Sequence, residues 1–193
     1  LQKFANTIAM NAASLPHQFQ DDDLLEVISH WPLRDNPSCH GPDHWIRVYN
    51  NAMLLADDEG WLEGRYSVCR DALYWASLFH DSMRINEYDD DGHGGRGAAH
   101  LTRYYLSEVS YDGDQDDVLS MAVSCCALHT DLMPDNEALL CAHLSDMEMA
   151  VVRLFCDADR LDLDRLGYKP DPNRMFTHAG KERAVNLEET SYV

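Results

Sequence analysis

The feature that most constrains how this chain can fold is a scattered set of imidazoles and carboxylates. His44 comes first, then the adjacent pair His80-Asp81, then Asp157 far downstream, with His93 and His129 in between. Each sits in or beside a segment that reads as helix, so the set can meet only if those helices pack into a bundle. Taken singly, a histidine near an apolar helix face is most often a hydrogen-bonded structural residue. As a set, neutral imidazoles with carboxylates are the ligand chemistry of Zn, Mn, Fe, Co and Ni, and they leave room for bound water. Leu78-Phe79-His80-Asp81 ends an apolar helix in an ionisable pair. Buried charge is costly unless paired or coordinated, and a metal supplies the reason for taking that pair inward.

The helices are legible from apolar spacing. Residues 43–58 read as one, with Pro42 before it, Asp43 as N-cap, and Val48, Leu54 and Leu55 marking its apolar face. His44 then falls in the first turn. Residues 66–80 form a second, buried broadly through Val68, Ala72, Leu73, Trp75, Ala76 and Phe79. Further helices are expected at about 98–109, 116–128, 136–143 and 147–161. The stretch 86–97, rich in Gly and Asp, reads as a loop bordering the site and ordering around metal or phosphate. Runs of alternating β-branched residues are nearly absent. The expected fold is an all-α bundle, one domain spanning 1–193, with no repeat or linker to argue for a second.

Charge narrows the partners. A formal net charge of −19 opposes binding to nucleic-acid polymers or anionic membranes, both of which need a positive face. A small phosphorylated ligand stays open, because a divalent metal reverses the local field. No apolar run approaches the roughly 20 residues that span a bilayer, and residues 1–13 lack the basic start and apolar core of a signal peptide. A cytoplasmic location is the default expectation. The six cysteines, at 39, 69, 125, 126, 141 and 156, include no CxxC and read as reduced, mostly buried thiols. The acidic runs at 21–23, 57–59 and 89–91 are expected in solvated loops or helix starts. Neither the 89–92 nor the 112–116 stretch is a calcium loop: the first has Ala98 where the bidentate Glu belongs, the second Asp117 where the turn glycine belongs.

The motifs together resemble the HD superfamily of metal-dependent phosphohydrolases. His44 followed three residues later by Arg47-Val48 is similar to the family's first-ligand helix, and Leu78-Phe79-His80-Asp81-Ser82 to its name-giving motif. His93 followed four residues later by Gly97-Ala98 resembles the third motif. Cys126-Ala127-Leu128-His129 resembles the later helix-borne histidine, and Asp157-Ala158-Asp159-Arg160-Leu161-Asp162 the closing motif. The likeness covers about 40–168. It implies that His44, His80, Asp81 and Asp157 hold one metal, with Asp81 able to bridge to a second. His93 and His129 match positions that bind that second ion in dinuclear members and that serve the substrate in mononuclear ones. His40, His100 and His143 match no motif position and are read as supporting or structural. The chain lacks the Gly-Tyr-Pro signature of cyclic-dinucleotide phosphodiesterases and the accessory regions of the dNTP triphosphohydrolases and stringent-response hydrolases. It is most similar to the small stand-alone members.

Such a chain is expected to cleave a small phosphoester, a nucleotide or related compound, with one or two divalent ions (Mn, Fe, Co, Ni or Zn, with Mg also admitted) activating water. Asp81 and His80 are the expected catalytic pair, and Asp159 is a reserve candidate for orienting the water and taking its proton. Arg47, Arg84 and Arg96 are candidate phosphate-binding cations, each of which reads equally well as a salt bridge. Two other classes stay open: a mixed-valent di-iron oxygenase and a catalytically silent metal-binding partner. The oligomeric state is not legible.

Overall fold

A computed structural model describes residues 19–36, 38–61, 67–108 and 115–190, the last three without their side chains. The readings made of 1–13, of 112–114, and of the outermost positions 66 and 109 of two expected helices lie outside the described residues. Among the described residues there are eight α-helices and no strand: α1 Asp21–His30, α2 Pro42–Asp58, α3 Ser67–Phe79, α4 His93–Glu108, α5 Gln115–Leu128, α6 Glu137–Leu140, α7 Asp146–Leu161 and α8 His178–Thr190. Two 3-10 turns, Asp162–Leu166 and Pro172–Arg174, join the last two. The fold is all-α, as the apolar spacing requires.

Helix α3 is the axis of the bundle. It packs against α1, α2, α4, α5 and α7, and buries Cys69, Ala72, Leu73, Ala76, Leu78 and Phe79. Helices α2, α5 and α7 close around it, α2 against α7 and α5 against α7. The shared interior is filled by Trp45, Val48, Leu55, Leu73, Phe79, Met121, Val151, Leu154 and Phe155, among others. An end or an early turn of each of these four helices faces the same end of the bundle. That arrangement positions the site.

Local chemistry sets where the helices begin. Gly41 is the N-cap of α2 and Pro42 its first residue, which sets the cap two positions before the Asp43 expected from the sequence. The glycine is there for space, since a Cβ at 41 would lie 2.6 Å from the Trp31 ring. Helix α7 opens on a capping box: Ser145 Oγ accepts from Glu148 N, and the Glu148 carboxylate accepts from Ser145 N at 2.9 Å. Helix α6 is shorter than the 136–143 expected, because none of its residues is fully buried and Leu140 is its one apolar side chain packed, partly buried, against the core.

The larger correction concerns 86–97. Residues from His93 onward are helix, not loop. The glycines that suggested a flexible stretch allow α4 to approach its neighbours. A Cβ at Gly94 would sit 2.5 Å from Cys126 O, and one at Gly97 would sit 2.6 Å from Phe79 O and 2.7 Å from His80 O. Residues before the helix are tied down as well. Asp90, expected in a solvated run, is buried, accepts from Ile85 N at 2.9 Å and is gripped by Arg96. Five cysteines are buried, and Cys39 is exposed.

The two kinds of helical glycine predict opposite outcomes. Gly97→Val should destabilise the fold by about 1–3 kcal/mol through overpacking against the end of α3. Gly95, whose Cβ would meet nothing within 4 Å, should accept alanine with a gain of roughly 0.5–1 kcal/mol from helix propensity. Denaturant melts of the two variants beside the parent check both.

Candidate metal centre

Three of the four histidines are held by one recurring device. His80 follows the last residue of α3 and its Nδ1 lies 2.9 Å from Ser77 O; His129 follows α5 with Nδ1 2.8 Å from Cys126 O. His93 opens α4 with Nδ1 2.6 Å from Asp90 O. In each case the ring donates to the carbonyl three residues back. For His80 and His129 that carbonyl is one of those left without a helical partner at a helix end. His44, in the first turn of α2, is held instead by a carboxylate, Asp162 Oδ2, at 2.6 Å. A carbonyl or carboxylate can only accept, so every Nδ1 carries the hydrogen and every neutral ring turns a bare Nε2 lone pair inward.

Those lone pairs converge. His44 Nε2 and His80 Nε2 are 3.1 Å apart, and His93 Nε2 and His129 Nε2 are 3.0 Å apart. Asp81 lies between the two pairs. Its Oδ2 is 3.5 Å from His44 Nε2 and 3.7 Å from His80 Nε2, while its Oδ1 is 3.1 Å from His93 Nε2 and 3.7 Å from His129 Nε2. Asp159 completes the first pair, with Oδ1 3.3 Å from His44 Nε2 and 3.9 Å from His80 Nε2. Phe155, one helical turn before Asp159, forms an apolar wall, its ring 5.5 Å from that of His80 and 6.4 Å from that of His129.

Two groups of donors follow, His44 with His80 and Asp159, and Asp81 with His93 and His129, each set of ligand atoms lying within 4.8 Å of one another. The donor set fits a metal. Facing imidazole nitrogens need a proton or a metal ion between them, and Asp81 Oδ1 is a buried carboxylate oxygen with no hydrogen-bond partner. Electrostatics agree. Burial opposes a charge on His44, but Asp159, Asp162 and Asp81 outweigh it and push the imidazole up to about 10. Burial holds His80 down to about 3. Burial would raise Asp81 and Asp159, yet the surrounding imidazoles keep both carboxyls below the usual range. The pocket is built for positive charge.

Of the arginines expected near the phosphate, one reaches the centre. Arg84 is buried, with an Nη1 that donates to His93 Nε2 at 3.1 Å and lies 3.6 Å from Asp81 Oδ1. Arg96 is a correction: Asp90 and Met83 O take its guanidinium, so it locks the segment leading into α4. Arg47 is another, since its Nε donates to Asp162 Oδ1 at 2.7 Å and supports the carboxylate that orients His44. Arg165 braces the same group at 2.9 Å.

Asp157 is the remaining correction. It is fully buried, but away from the imidazoles: its carboxylate accepts from Phe176 N at 2.9 Å, Thr177 N at 2.8 Å and Thr177 Oγ1 at 2.7 Å. It fastens the segment entering α8 onto α7. Residues two apart on a helix point about 200° away from each other, so Asp157 and Asp159 cannot both face the centre. Asp159, expected only as a candidate for orienting water, is the α7 carboxylate that stands with His44 and His80. Asp162, also in the closing motif, orients His44, a role that no local sequence signal distinguishes.

No curated protein and no solved structure matches the chain. The family model described as HD domain matches residues 43–164, more than half of the 193, and that span holds every imidazole and carboxylate of the centre. The chain belongs to the HD-domain family.

Proposed function

We propose that this chain is a metal-dependent phosphohydrolase that cleaves a small phosphoester, a nucleotide or related compound. The observation that carries the reading is Asp81, a buried carboxylate with one oxygen turned to each of two imidazole pairs. A first ion would be held by His44, His80, Asp159 and Asp81, and a second by Asp81, His93 and His129. Divalent ions so held supply a Lewis acid for a phosphoryl oxygen and lower the pKa of a water.

The chain's own residues do the remaining work. Ser77 O, Asp90 O, Cys126 O and Asp162 fix the rings, which keeps the donor atoms from having to reorganise. Burial of His44, His80, Asp81, His93 and His129 excludes water, and Asp159, with a side chain 22% exposed, marks the open side. Arg84 brings a charge-assisted donor to the pocket, suited to a phosphoryl oxygen. The acidity of the whole chain favours small substrates over nucleic-acid polymers.

One observation favours a one-ion variant of the same reading. The Arg84 guanidinium lies against His93 and Asp81, close to where a second ion would sit. In that variant His93, His129 and Arg84 contact the phosphate directly. Metal analysis separates the two. With two ions, His129→Ala loses about one equivalent and most activity. With one ion, parent and variant both hold one equivalent, and the variant shows a raised KM.

The decisive assay is a panel of phosphomonoesters and phosphodiesters with Mn²⁺, Co²⁺, Ni²⁺ and Mg²⁺ added in turn. Turnover is expected, abolished by Asp81→Ala and by chelation. An iron-bound protein with an O2-dependent product, or metal bound tightly with no turnover of any ester, would overturn the reading. The two aspartates of α7 should separate cleanly. Asp159→Ala should lose metal and activity with little change in fold. Asp157→Ala should keep metal but lower stability by about 1–3 kcal/mol, because buried donors of Phe176 and Thr177 lose their acceptor. Chelating the loaded protein should also lower its melting temperature, since an ion at about 1,000 times its Kd contributes roughly 4 kcal/mol to the native state.

A further inference from the structure

We propose that Cys39, His40 and Glu87 form a separate metal site, for a thiophilic divalent ion of the zinc class, beside the centre already described. Three different donor types meet there. Glu87 Oε2 lies 2.9 Å from Cys39 Sγ and 3.1 Å from His40 Nδ1, and the sulfur and the ring nitrogen are 3.3 Å apart. A tetrahedral zinc ion needs ligand atoms separated by about 3.3–3.6 Å, given bonds of about 2.3 Å to sulfur and 2.0–2.2 Å to nitrogen and oxygen. The triad therefore opens by about 0.2–0.7 Å, most of it between the sulfur and the carboxylate, to admit it. The other carboxylate oxygen, Glu87 Oε1, is buried and has no hydrogen-bond partner.

The donors stand on a braced backbone. His40 O accepts from Trp45 Nε1 at 2.9 Å, Cys39 O accepts from Arg165 Nε at 3.1 Å, and Cys39 N donates to Glu87 Oε2 at 3.1 Å. Side-chain exposures of 17% for His40 and 27% for Glu87 leave a path for an ion to enter. Binding would displace the thiol proton and move the imidazole proton from Nδ1 to Nε2. Dication, thiolate and carboxylate then sum to zero charge.

The chemistry differs from that of the centre. Nitrogen and oxygen donors there accept a broad range of divalent ions, whereas a thiolate selects Zn²⁺ or Co²⁺ over Mn²⁺ and Mg²⁺. The position gives the site a structural consequence. Cys39 and His40 precede α2, which carries His44, and Glu87 lies in the segment that leads to His93. An ion there clamps together the entries to two ligand-bearing helices. It also holds the His40 ring against that of His44, 5.9 Å away edge-on.

Titration of the full chain with Co²⁺ tests the proposal, because a thiolate ligand adds a sulfur-to-cobalt charge-transfer band that nitrogen and oxygen donors do not. The expected result is such a band in the parent, with one more equivalent of Co²⁺ than Cys39→Ser or Glu87→Gln binds. Both variants should lack the band and keep the ions of the centre. His129→Ala should retain the band, which separates this site from the proposed catalytic one. Cys39 is exposed, so its serine variant should fold, and Glu87→Gln gives an independent reading. Equal Co²⁺ content in the parent and both variants, with no thiolate band at saturation, would show a hydrogen-bonded latch only and overturn the proposal.

Discussion

Asp81 carries its negative charge into a buried pocket, with four imidazoles and a guanidinium arranged around it. Burying a carboxylate costs several kcal/mol unless opposite charge and hydrogen-bond donors surround it. The rest of the site follows from that requirement. His44 and His80 gather at one oxygen, His93, His129 and Arg84 at the other. The residue lies two positions past the buried end of α3, the helix that touches most of the others. Charge and packing thus meet at one point of the chain.

Holding four rings with their lone pairs inward takes little sequence. A carbonyl three residues back holds His80, His93 and His129, so ring orientation comes with the local backbone. His44 has no such carbonyl and depends on Asp162, which is itself braced by Arg47 and Arg165. Its orientation is therefore coupled to the opposite end of the family-matched span. The close approach of α4 through Gly94 and Gly97 completes the arrangement by placing His93 opposite His129.

In so acidic a chain the few cations near the site have assigned places. Arg47 and Arg165 steady Asp162, Arg96 pins Asp90, and Arg84 alone of the three expected arginines enters the pocket. An arginine near a motif in sequence is thus a poor guide to phosphate contact, because carboxylates are abundant enough to capture it first.

The sequence by itself determined the helical class, the bounds of α2, α3, α5 and α7 within a residue or two though neither α1 nor α8, and five of the six residues now grouped at the centre: His44, His80, Asp81, His93 and His129. His44, His80 and Asp81 were legible because each sits at a helix end or first turn, where periodicity stops and a polar side chain needs another explanation, whereas His93 and His129 were singled out by the motifs' resemblance to the family. Three things were decided only by tertiary structure. The glycines before Ala98 read as a loop, since their role is contact with the Cys126, Phe79 and His80 carbonyls, which local sequence cannot register. Arg47 and Arg96 were assigned by neighbours distant in the chain. The choice between Asp157 and Asp159 turned on how α7 is rotated. Val151, Leu154, Phe155 and Ala158 form one apolar face of that helix, and Asp157 and Asp159 flank it on opposite sides, so the apolar pattern does not choose between them and packing against α3 and α8 decides which aspartate meets the imidazoles.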